Sequence, residues 1–247
     1  MKPVPITLVL CLLRVAHTIA RQQAQIAIVD AITIAFFFLL RPGEHTGTVT
    51  DDRPFHLCDI ALHLGERRLD HSTATIAELQ AATACSYTFT TQKNGMRGEV
   101  ITHGCSGHAL CCPVTATTRR MLHHQQHNTA QNNPLASCYR NNRLVTIKAK
   151  DVTDQLRSAA TTNVQATGLA PTEISARSLR AGGAMALLCG DVDHNLIQLL
   201  GHWHSDAMMR CLHLQAQPIM KTFAKAMFNN GNYSFLPSET APANPNE

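Results

Sequence analysis

Ile174-Ser-Ala-Arg177-Ser-Leu-Arg180-Ala-Gly-Gly-Ala184, then Leu199-Leu-Gly201-His202-Trp203, then Arg210-Cys211-Leu-His213 are the segments that decide how this chain is read. From Ile174 onward the pattern is helical, in pieces divided at Gly190 and Gly201. Arg177 and Arg180 stand one turn apart on the first piece, and His202 directly follows the glycine that ends the second. Arginine keeps its charge at any relevant pH and presents a planar fork of donors matched to the oxygens of a phosphate.

Composition sets the frame around these segments. The 247 residues suit one large domain or two small ones, and suffice for a sizeable core. An apolar content of 45% against 15% charged excludes a disordered chain. A formal charge of +4 permits a polyanionic partner without requiring one. Nine cysteines form an odd set in a chain too long for a disulfide-stapled miniprotein, so reduced thiols and an intracellular compartment are expected. Two apolar stretches, Ile6 to Leu13 and Ile26 to Leu40, are too short to span a bilayer, which takes about 20 residues. Both read as buried helices, and no membrane partner is expected.

Outward from the C-terminal segments, helical spacing predicts one helix from Ile6 to about Gln22 and a second from Gln25 to Leu40. The second is apolar almost all round, which places it in the core, and Pro42-Gly43 stops it with Arg41 at its exit. A β-rich stretch follows, with strands expected at Phe55 to Leu62, Ser86 to Gln92 and Glu99 to His103. Gly65-Glu66 is a turn, and Asn94-Gly95 is a hairpin signal that presents Lys93 at its tip. Pro113 opens a helix to about Gln126, residues 128 to 142 read as a polar loop, and Asp151 or Thr153 caps a helix to about Gln165. After Asn229 the Gly, Asn, Ser and Pro content predicts a disordered tail, so one domain of residues 1–228 and a tail of 229–247 are expected.

Taken together, these motifs resemble the catalytic domain of a tyrosine recombinase of the phage-integrase type, and in particular recombinases of eukaryotic mobile elements. The resemblance runs over residues 1 to 225. It implies an α+β, mainly helical fold with a small antiparallel sheet, and a chemistry in which protein cations, with no metal or cofactor, stabilise a scissile phosphate. In Phe38-Leu-Leu-Arg41-Pro-Gly-Glu44, Arg41 is similar to the first catalytic arginine and Glu44 to the acidic residue that follows it. Lys93 matches the hairpin lysine that acts as general acid, Arg180 the second arginine, and His202 the later histidine that contacts the phosphate. Arg177 stands where the family more often has histidine, which weakens the base assignment but keeps a phosphate-facing cation.

Cys211 falls on the position of the nucleophilic tyrosine, nine residues after His202. A thiol reaches less far than a phenol, and attack distance governs rate. A buried thiol with a pKa near or above ~8.5 is also mostly protonated at neutral pH. The expectation is therefore a protein that binds double-stranded DNA, self-associating on it, nuclear in a eukaryote, and catalytically degenerate. One alternative is an active recombinase that uses another tyrosine, such as Tyr233, or a tyrosine supplied by a partner subunit. Another is a zinc-stabilised interaction module, for which Cys105-Ser-Gly-His108-Ala-Leu-Cys111 has the spacing of half a site. His123, His124 or His127 would have to supply the other half, at spacings that fit no standard zinc module.

Overall fold

The computed structural model describes residues 1–18, 23–47, 53–90, 98–163, 167–190 and 192–203, all within one compact unit, Met1–Leu212. The chain is mixed α and β, about half helical, with a small antiparallel sheet. Lys93, Cys211, Tyr233 and the tail from 229 lie outside the described residues.

Helix α2 (Gln23–Phe37) is the axis of the fold. Ala27 through Phe36 are all buried, as an all-round apolar helix requires. It packs against α1 (Ile6–Thr18), α5 (Pro113–Gln126), α6 (Ala149–Thr162), α7 (Ser178–Cys189) and strand β5 (Ser137–Arg140). Each large aliphatic side chain buried this way contributes roughly 1.5–3 kcal/mol. The carboxylate of Asp30 lies in this interior, and Arg119 on α5 meets it with Nε and Nη2 at 2.9 and 2.5 Å from Oδ1. Among the described residues no helix is long and apolar enough to cross a membrane.

The main sheet runs β2-β1-β3-β4, all antiparallel, from β1 (Ile60–Leu64), β2 (Arg67–Leu69), β3 (Ala84–Phe89) and β4 (Glu99–Gly104). The short helix α4 (Ile76–Gln80) links β2 to β3, and β3 and β4 pair from Ala84 with Gly104 to Phe89 with Glu99. An aromatic cluster fastens this sheet to the end of α2. Phe38 lies 4.2 Å from the Tyr87 ring, Phe55 lies 5.1 Å from Tyr87, and Phe89 lies 4.9 Å from Phe55. Edge-to-face and tilted rings at such spacings add about 0.5–1.5 kcal/mol per pair beyond their burial.

Several elements differ from the sequence expectation. Phe55 to Leu62 is not one strand, because Leu57–Asp59 form a 3-10 turn held by the Asp59 carboxylate on the His56 backbone N–H (2.8 Å), and pairing starts only at Ile60. Pro42 does not merely stop a helix; it opens the short helix α3 (Pro42–His45), with Pro at a position where no backbone donor is needed. Residues 128 to 142 are not all loop. They contain β5, which pairs with β6 (Arg143–Thr146) around Asn141 and Asn142, both left-handed at φ 48° and 59°. Two left-handed residues make the tight hairpin turn whose twist suits paired strands. Helix α6 begins at Ala149, earlier than expected, because the Asp151 carboxylate reaches back to the Lys148 N–H at 2.8 Å.

Candidate functional site

Helix α2 ends in a way that fixes where Arg41 leaves it. Leu39 adopts a left-handed backbone (φ 52°), and the Leu40 N–H bonds back to the Ala35 carbonyl at 3.0 Å. This six-to-one closure normally takes glycine, and a leucine there costs about 1–2 kcal/mol. The chain then turns so that Arg41 caps α3. Its backbone N–H and Nη1 both bond the buried Glu44 carboxylate, at 2.6 and 3.0 Å. His45 donates through Nδ1 to the Arg41 carbonyl at 2.8 Å, and burial pushes its imidazole down to about 4. Arg41 is thereby held at both its main chain and its side chain, with the guanidinium partly exposed.

Helix α8 (His194–Leu200) ends the same way. His202 is left-handed at φ 52°, and the Trp203 N–H bonds the Gln198 carbonyl at 3.0 Å. Gly201 is required just before it, since a Cβ there would run into the Trp203 ring. His202 thus holds the helix-closing position that glycine usually fills. Its ring sits 4.4 Å from Phe89, at the end of the aromatic cluster, and its Nε2 lies 2.8 Å from the carboxylate of Glu99.

Arg180 joins the two helix ends. It is buried on α7, with Nη1 donating to the Leu39 carbonyl at 2.9 Å and Nη2 donating to the Gly201 carbonyl. Trp203 covers it, with the guanidinium carbon 4.1 Å from the ring centroid. One cation therefore bonds the carbonyl-rich, negatively polarised ends of both α2 and α8. Glycines let α7 come close enough. A Cβ at Gly183 would collide with the Phe36 carbonyl, and one at Gly182 with the Val4 carbonyl. The N-terminal segment is tied to α7 as well, through the Val4 N–H on the Ser178 carbonyl at 3.2 Å.

Arg41, Arg180 and His202, distant in sequence, thus come to one place. Burial lowers the His202 pKa, Glu99 opposes that, and the charges of Arg180 and Arg41 lower it further. The arrangement brings two permanent positive charges and an imidazole together in one corner, with the carboxylates of Glu44 and Glu99 against Arg41 and His202. Arg177 is exposed at the start of α7, one turn from Arg180. Lys93 and Cys211 lie outside the described residues, although Phe89 and Glu99 mark the two strands that flank the Lys93 segment. Both terminal nitrogens of Arg180 donate to main-chain carbonyls, so this side chain ties two helix ends together.

Glu99, Leu39 and Gly201 are the parts of this corner that spacing did not reveal. The Glu99–His202 contact joins residues about a hundred positions apart, and the other two act through their backbone, which carries no side-chain signature.

Elsewhere, Cys105, His108 and Cys111 do not form half a metal site. His108 Nδ1 accepts the backbone N–H groups of Leu110 and Cys111, each at 3.1 Å, and among the described residues no group of three His, Cys, Asp or Glu is arranged to hold a metal ion. The described cysteines are free thiols. Two of the three tyrosines are described. Tyr87 is buried, shares a 2.9 Å hydrogen bond with Thr117, and burial pushes its phenol well above the usual range. Tyr139 is stacked on His127 at 4.2 Å. No family model matches this chain, and no curated protein is significantly similar to it.

Proposed function

We propose that the chain is a DNA-binding protein with the catalytic fold of a tyrosine recombinase, one that holds a duplex phosphate and has lost strand cleavage. The observation that supports this reading is the meeting of Arg41, Arg180 and His202, from three separate segments, around one corner. Arg41, partly exposed and braced by Glu44, supplies the fork for non-bridging phosphate oxygens. Arg180 adds a second fixed charge, anchored by the Leu39 and Gly201 carbonyls, which take two of its five N–H donors. His202 donates to the phosphate when protonated, and the resemblance assigns a further cation to Lys93. Such contacts are made to the backbone of DNA, so binding is steeply salt-dependent and weakly sequence-dependent. A DNA partner implies an intracellular location, nuclear in a eukaryote.

Cleavage requires a nucleophile in line with the phosphorus, and Cys211 is a shorter, softer one than tyrosine. Tyr87 cannot replace it, because its hydroxyl is buried and hydrogen-bonded. An active enzyme would then need Tyr233 or a tyrosine from a second copy. The test is covalent trapping on a nicked duplex from which the cleaved strand diffuses away. The wild type should form no covalent complex and Cys211→Tyr should form one. Trapping by the wild type would favour the active reading, and no trapping by Cys211→Tyr would count against the assignment of these residues.

A further inference from the structure

We propose that Glu99 is the positioning residue for His202: its carboxylate lies against Nε2 of the imidazole as a charge partner, so that the histidine's proton and orientation depend on the first residue of β4. The geometry carries this. Glu99 Oε2 lies 2.8 Å from His202 Nε2. Glu99 pairs with Phe89 across the β3–β4 ladder, and the Phe89 ring packs on the same imidazole at 4.4 Å. One cross-strand pair thus grips His202 twice, by charge and by ring contact. The histidine itself sits at a left-handed helix-closing residue, so its backbone is fixed independently by the Trp203 to Gln198 bond.

The groups facing the imidazole set the sign. Arg180 from α7 and Arg41 from the α2–α3 turn disfavour its protonation, as does burial, and Glu99 from β4 favours it. Neutralising Glu99 therefore moves His202 titration to lower pH. A carboxylate facing Nε2 also selects the tautomer with the proton on that nitrogen. Glu99 touches neither phosphate nor nucleophile; it acts through His202. The consequence for DNA rests on the phosphate-binding reading above, whereas the pair itself does not.

The experiment is nitrogen-resolved NMR of His202 in the full chain without DNA, assigned by its disappearance in His202→Gln, with a parallel pH series of binding to a fluorescent duplex. In the wild type the neutral ring should carry its proton on Nε2. In Glu99→Gln, which keeps the side-chain shape, the titration should move to lower pH. A neutral ring protonated on Nδ1, or an unchanged titration in the variant, overturns the proposal. The tautomer is read in the wild type alone, so a variant that fails to fold does not remove the test. If the titration moves, the midpoint of the pH-dependent loss of duplex affinity should move with it. A moved titration with no duplex binding at any pH would support the pair while refuting the DNA reading.

Discussion

Replacing Arg180 with methionine removes a side chain that bonds the ends of both α2 and α8. Two hydrogen bonds from a charged donor are lost, each of about 1.5–3 kcal/mol, and a stacked contact with Trp203 disappears with them. Release of a buried cation from its desolvation offsets part of this, and methionine refills the volume of the aliphatic stem. The expected net loss is about 3–5 kcal/mol, a large share of the 5–15 kcal/mol typical of a whole domain. Lysine keeps the charge but has no planar fork to span two carbonyls, so Arg180→Lys should lose about half as much. Urea unfolding by linear extrapolation measures both, with equal slopes required for the comparison. An Arg180→Met variant within about 0.5 kcal/mol of the wild type would refute the clamp, since that is the scatter of an ordinary surface substitution.

Three further outcomes follow from the packing and the buried charges. Gly183→Ala adds a Cβ that meets the Phe36 carbonyl, so it should destabilise by about 1–3 kcal/mol in urea despite alanine's better helix propensity. Arg119→Met leaves the Asp30 carboxylate buried without its partner and should cost about 3–5 kcal/mol, most of it recovered when Asp30→Leu is added. Burial lowers His45 and His124 to about 4 and His123 to about 3, below the 6.5 of a free imidazole. The folded chain then binds fewer protons than the unfolded one, so stability is full above pH 6.5 and falls as the pH descends toward 4. Thermal melts across that window should show the drop, and His124→Gln should flatten it.

The parts of the fold legible in the sequence are those where one pattern dominates. Helix α5 starts at Pro113 and ends at Gln126 as its spacing and its proline dictate, and α2 is buried on all sides as its composition requires. The hairpin of β5 and β6 carried a signal in Asn141-Asn142, but the polar residues before it masked the short alternation of Ser137 to Arg140. The early start of α6 was hidden because its cap is a carboxylate reaching back from Asp151, not a capping side chain at Lys148. In the candidate site, the order of Arg41, Arg180 and His202 was readable, but their roles were less so. The clamp that Arg180 makes was not readable, because its partners are carbonyls exposed by two left-handed helix ends that no residue type announces. Leucine and histidine occupy those ends where glycine would be expected.

The most direct test of the phosphate corner is the salt dependence of duplex DNA binding by the wild type and Arg41→Gln, followed by fluorescence anisotropy from low to physiological salt. Arg41 is chosen because its guanidinium is partly exposed and its loss leaves the Arg180 clamp in place. The account predicts that log affinity falls linearly with log salt, and that the variant's slope is shallower by about one, the signature of one lost phosphate contact. Equal slopes for the two proteins, or wild-type binding that does not respond to salt, would contradict it.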